Sequence, residues 1–182
     1  MKKQDYRFNQ DSFYQKKSDQ VIAEFFCDIA SYDIFDIANF TSGLEIKEKA
    51  KKQSALTKDQ LDILSEKINH LLESSSPPLL QISKILNGLA GLQYDKNDLQ
   101  HLNLPKMAEV FNQQIDSSNF KDVINVFNGF ARLNFDKDEI NLDAKKIAHL
   151  INRKNRNITN LDIAISLHSF AKMGYGGWRY GC

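Results

Sequence analysis

Leu86-Asn87-Gly88-Leu89-Ala90-Gly91-Leu92-Gln93-Tyr94 returns as Phe127-Asn128-Gly129-Phe130-Ala131-Arg132-Leu133-Asn134-Phe135, and again as Leu167-His168-Ser169-Phe170-Ala171-Lys172-Met173-Gly174-Tyr175. The offsets of 41 and 40 residues fall in the period range of stacked helix-pair units. Such a unit is too small to bury its apolar face alone and leans on its neighbours. The phrase therefore predicts an all-α chain, an α-solenoid of about three to four antiparallel helix-pair repeats, and a binding surface in place of a catalytic pocket.

On a helix turning about 100° per residue, Leu86, Leu89, Ala90 and Tyr94 share one broad face with Ile82 and Ile85. That face is expected to be core, with Leu89, Phe130 and Phe170 in equivalent buried positions. Gly88, Gly129 and Ser169 are small where a neighbouring helix should pass closest, and Ala90, Ala131 and Ala171 fit the same reading. The aromatic that ends each phrase should pack the helix end, with Asp95, Asp136 or the glycines around Tyr175 stopping the helix. The opposite face carries Lys84, Asn87 and Gly91, then Asn125, Asn128 and Arg132, then Ile165, His168 and Lys172. Stacking would align these into a mostly polar column.

A second helical stretch precedes each phrase. Thr57-Lys58-Asp59-Gln60 reads as a capping box, followed by Leu61, Leu64, Ile68 and Leu71 at helical spacing. Pro105 suits a first turn, with Met107, Ala108, Phe111 and Ile115 behind it. Leu142, Ala144, Ile147, Ala148 and Ile151 form the third stripe, and Thr159 caps its partner. Residues 57–175 thus divide into units at 57–95, 102–136 and 141–175. Residues 18–56 read as capping helices or a degenerate repeat, in which Ile34-Phe35-Asp36-Ile37-Ala38-Asn39-Phe40 keeps the order of the phrase but begins 52 residues before Leu86. Residues 1–17 read as a loosely ordered leader, and 176–182 as a tail or the start of a truncated repeat. Unless Trp178 and Tyr180 fold back over the open end, self-association there is expected.

With 42% hydrophobic and 26% charged residues the chain has material for a continuous core. It has no apolar run near the roughly 20 residues of a membrane span and no signal-peptide pattern, so a cytoplasmic protein without membrane contact is expected. Cys27 and Cys182 give no disulfide framework, and Cys27 reads as a small core residue. The four histidines are dispersed without metal-ligand spacing. The glycines after Lys172 follow a helix, whereas a phosphate-cradling loop precedes one. Asp136-Lys137-Asp138-Glu139 lacks the ordered ligands and glycine of a calcium loop. These observations imply no enzyme, no catalytic residue, no metal and no cofactor.

The formal charge is +1, yet Lys145, Lys146, Arg153, Lys154, Arg156, Lys172 and Arg179 face only Asp162 in the last unit, a local excess of +6. Such a patch attracts phosphates. Equally, Lys145 and Lys146 could solvate an outer helix face while Arg153, Lys154 and Arg156 complement the negative end of that helix.

Leu-Asn-Gly-Leu-Ala-Gly-Leu from Leu86 and Leu-His-Ser-Phe-Ala-Lys-Met-Gly-Tyr from Leu167 resemble the second-helix signature of octotricopeptide-type repeats. Similar repeats occur in organellar RNA-metabolism factors, in FAST-kinase-like mitochondrial proteins and in a repeated bacterial domain of intracellular pathogens. The likeness spans Thr57 to Tyr175 and is fullest in the third copy; the first has Gly91 at the basic position, and the first two lack the glycine before the aromatic. The resemblance implies binding of single-stranded RNA by successive repeats, of modest specificity. Asn87, Asn128 and His168 would then read base edges, with Arg132 and Lys172 beside them and Lys145, Lys146, Arg153 and Arg156 on phosphates. If the first helix of each pair lines the binding face, Lys106, Gln113, Gln114, Lys145, Lys146 and His149 take that place. The competing reading is a protein-interaction solenoid, an adaptor or secreted effector-like scaffold, with Tyr175, Trp178 and Tyr180 as an aromatic anchor.

Overall fold

The computed structural model describes residues 15–48, 55–152 and 158–175. All regular structure among them is helical: α1 (Ser18–Asp28), a 3-10 turn (Ile29–Ser31), α2 (Ile34–Glu48), α3 (Lys58–Ser74), α4 (Leu79–Gly91), α5 (Leu104–Gln114), α6 (Phe120–Arg132), α7 (Ala144–Asn152) and α8 (Asn160–Lys172).

Most helix starts are fixed by side chains that take the unpaired first-turn amides. Thr57 and Gln60 form the reciprocal box the sequence predicts, as do Thr159 and Asp162. The amide and hydroxyl of Thr159 hold the Asp162 carboxyl below its ordinary value. Asn103 and Asn119 accept the Lys106 and Asp122 amides. α4 is an exception. Its cap is Pro78, which offers neither a side-chain acceptor nor an N–H, so Gln81, at the place of Asp122 and Asp162, keeps a buried Oε1 with no hydrogen-bond partner.

α4, α6 and α8 end identically. The amides of Tyr94, Phe135 and Tyr175 reach back to the carbonyls of Leu89, Phe130 and Phe170, while Gln93, Asn134 and Gly174 adopt φ of 68°, 64° and 79°. This is the left-handed C-terminal cap. The residue that stops each helix therefore stands before the aromatic, as Gly174 does in the third copy, and not at Asp95 or Asp136 as the sequence suggested for the first two. Asp95 and Asp136 instead cap the next turn, accepting the amides of Asn97 and Asp138. A left-handed position costs a side-chain-bearing residue about 1–2 kcal/mol. Gln93→Gly is therefore expected to stabilise the fold by about 1 kcal/mol in urea unfolding, after the extra chain entropy of glycine is subtracted. Asn134→Gly should give less, because asparagine tolerates this region.

The second helices pack in series, α2 on α4, α4 on α6 and α6 on α8. Their contacts climb in step, with Asn39, Thr41 and Glu45 against Lys84, Gly88 and Gly91, and Leu86 against Gly129, so neighbours run parallel. In this register Thr41 corresponds to Leu86, an offset of 45 residues and not 52.

The first helices are linked by a repeated asparagine clamp. Asn69 on α3 donates to the His101 carbonyl and accepts the Asn103 amide at 2.7 Å each. Asn112 on α5 does the same with Asn141 and Asp143 at 2.7 and 2.9 Å.

The core runs unbroken from Val21 through Phe40, Leu64, Leu89, Phe111 and Phe130 to Met173. Leu89 and Phe130 are fully buried, but Phe170 is only half-buried, because no helix among the described residues lies beyond α8. Cys27 is a further correction. It is exposed on α1, whose buried face is Val21, Ile22 and Phe25.

Candidate binding surface

The polar column of the second helices is a hydrogen-bonded ladder. Asn87 Nδ2 donates to the carbonyls of Ser83 and Asn125, both at 2.9 Å. Asn87 Oδ1 accepts from Arg132 at 3.0 Å and from Asn128 at 3.4 Å. Asn128 in turn accepts the Ser169 hydroxyl, and Lys172 reaches the Arg132 carbonyl at 3.5 Å. At the other end Lys84 donates to Asn39. Apart from the Asn87–Ser83 bond, which lies within α4, each rung ties one helix to the next.

Glu45 explains why Gly91 departs from the basic residue found at its equivalents Arg132 and Lys172. The Glu45 side chain lies over α4 in the space a Cβ of residue 91 would take, and its carboxylate sits 4.0 Å from Arg132 two helices away. A side chain at position 91 would block that reach. The sequence singled out neither Asn39 nor Glu45.

Among the remaining candidates, His168 and Lys172 are exposed on α8, and Lys145, Lys146 and His149 are exposed on α7. Lys146 pairs with Asp116 at 3.5 Å and Asp143 at 3.9 Å, both surface contacts worth little. Arg153 and Arg156 lie outside the described residues, as do Trp178 and Tyr180. On the first-helix side Lys106 pairs with Glu109, which also accepts from Gln113. Gln114 is held by Ser76 and the Pro77 carbonyl.

Two open clefts recur on that side, between a first helix and the loop leading to the next. One, of about 320 Å³, is lined by Lys58, Asp62, Asp98 and His101 among others. The other, of about 630 Å³, is lined by Glu109, Asn112, Glu139 and Lys146 among others. Tyr94 closes the floor of the first. Its hydroxyl donates to the Leu56 carbonyl at 3.0 Å and accepts the Leu56 amide at 2.7 Å, and burial pushes its pKa up.

Among the described residues no group of three or more His, Cys, Asp or Glu is placed to hold a metal, and no helix is long and apolar enough to cross a membrane. No protein family, curated protein or solved structure matches this chain.

Proposed function

We propose that the protein is a non-catalytic cytoplasmic scaffold, a short α-solenoid of helix-pair repeats that binds another protein. The solenoid reading is supported by devices that recur from unit to unit: the left-handed caps at Gln93, Asn134 and Gly174, which keep the spacing of the phrase, and the asparagine clamps at Asn69 and Asn112. The preference for a protein ligand rests on one observation, the saturation of Asn87. A primary amide offers two N–H donors and two acceptor lone pairs, and Asn87 spends all four inside the stack. Reading a base edge would break bonds that hold α4 to α6. The Glu45 carboxylate beside Arg132 would also repel a phosphate.

RNA binding is the second reading, favoured by the exposed Lys145, His168 and Lys172 towards the end of the chain. A salt titration with purified protein and single-stranded RNA separates the two, combined with capture of partners before and after RNase. The expected result is partners that survive RNase, and no RNA affinity tighter than non-specific levels. RNA binding that weakens with salt would install the second reading, provided the log-log slope flattens by roughly 0.7 for each phosphate contact removed by reversing Lys145, Lys146, Arg153 or Arg156.

A further inference from the structure

We propose that the outer face of α8 pairs with the same face of a second copy of this chain across a two-fold axis. The face is defined by equivalence. On α4, Leu86 meets Gly129 of α6, and on α6, the Phe127 ring lies tilted against Phe170 of α8 with centroids 4.7 Å apart. Ile82, Ser83 and Leu86 are buried on α4, and Val123, Ile124, Phe127 and Ala131 on α6. At the same places on α8 stand Ile163, Ala164, Leu167 and Ala171, and these are in solvent. Leu167 is 54% exposed and the neighbouring Leu161 68%.

The occupant follows from the other end of the stack. A copy adding head to tail would need the far side of α2, but α1 already occupies its Phe40 side, leaving only Phe35 and Ile46 exposed along the edge of that helix. Phe25 stacks on Phe40 with ring centroids 3.6 Å apart, and Val21, Ile22 and Phe25 are buried there. The end-to-end contact left open between two copies is α8 on α8, which is isologous and closes at a dimer. The face suits itself. Ala164 and Ala171, seven residues apart, line its centre, so antiparallel helices approach closely with Ala164 of one copy opposite Ala171 of the other. Leu161 and Leu167 flank the contact, and Leu167 and His168 fall nearest the axis. The face carries no carboxylate, and antiparallel helix dipoles attract. One helix per side is a small contact, so the dimer is weak. It stands whichever ligand the sides of the stack take, and it covers His168.

Sedimentation velocity on the full chain from about 1 to 200 µM, a range spanning weak association, should show monomer giving way to dimer. Leu167→Glu and Leu167→Lys should each weaken association at least about tenfold, since a charge would face its like across the axis. Their helical circular dichroism should match the parent chain, because the side chain is exposed. Mixing the two variants should restore a dimer, which a merely unfolded variant would not do. In a Cys27→Ser, Cys182→Ser background, His168→Cys should oxidise to a disulfide-linked dimer and Lys145→Cys should not. A monomer throughout the range overturns the proposal. So does a dimer indifferent to both charges, or one that forms only after residues 176–182 are removed, which would make the tail the occupant.

Discussion

Phe130→Ala is expected to lower the unfolding free energy by about 3–5 kcal/mol, the range for deleting a fully buried phenylalanine. Phe130 has no exposed surface, and its ring meets Phe111 at 6.3 Å and Phe135 at 6.4 Å, both edge-on. It thus joins α5 and α6 to the aromatic that ends the phrase. Against a total stability of about 5–15 kcal/mol, one truncation removes a large fraction. Phe170→Ala is the control. The same phrase position at the end of the stack is only partly buried and lacks a neighbour on one side, so a smaller loss, roughly 1–2 kcal/mol of transfer energy, is at stake. Urea unfolding of the two variants side by side decides the matter. Equal losses would mean that the third copy is packed on both sides, against the open end described above.

The recurrence of the phrase was legible because it repeats residue types that only burial explains: large residues at 86, 89, 127 and 130, and small ones at 88 and 129. The caps at Thr57 and Thr159 were legible because a capping box is a local code. Gln93 and Asn134 were not. A left-handed position is visible in a sequence only where glycine fills it, and of the three caps only Gly174 does. The asparagine clamp was hidden for another reason. Asn69 and Asn112 are 43 residues apart, off the 41-residue spacing of the first two phrases, because α3 has 17 residues and α5 has 11.

The candidate site was harder to read than the fold. A polar residue on an outer helix face looks the same whether it meets solvent, a ligand or the next helix. Asn87, Asn128 and Arg132 separate from His168 only when the stack places neighbours beside the first three and none of the described residues beyond the fourth. Glu45 was missed because a glutamate at the head of the charged stretch Glu45-Ile46-Lys47-Glu48 looks like any solvated residue, whereas α2 continues through it and lays it over α4.

Two glycines of one helix should respond oppositely to the same methyl group. A Cβ on Gly88 would stand 2.8 Å from the carbonyl carbon and oxygen of Thr41, backbone atoms that move only if α2 moves. Overpacking of this kind costs about 1–3 kcal/mol, more than the 0.5–1 kcal/mol or so a helix gains when alanine replaces glycine. Gly88→Ala should therefore destabilise the protein by about 1–2 kcal/mol. Gly129→Ala should behave likewise, since its Cβ would meet the Leu86 Cβ at 2.6 Å. The atoms nearest a Cβ on Gly91 all belong to the Glu45 side chain, which is free to swing towards solvent. There the helix gain prevails, and Gly91→Ala should leave stability unchanged or slightly raised while parting Glu45 from Arg132. Chemical denaturation of the three variants reads the order directly. A harmless Gly88→Ala would show that α2 and α4 do not approach at Thr41, and the 45-residue register between α2 and α4 would fall with it.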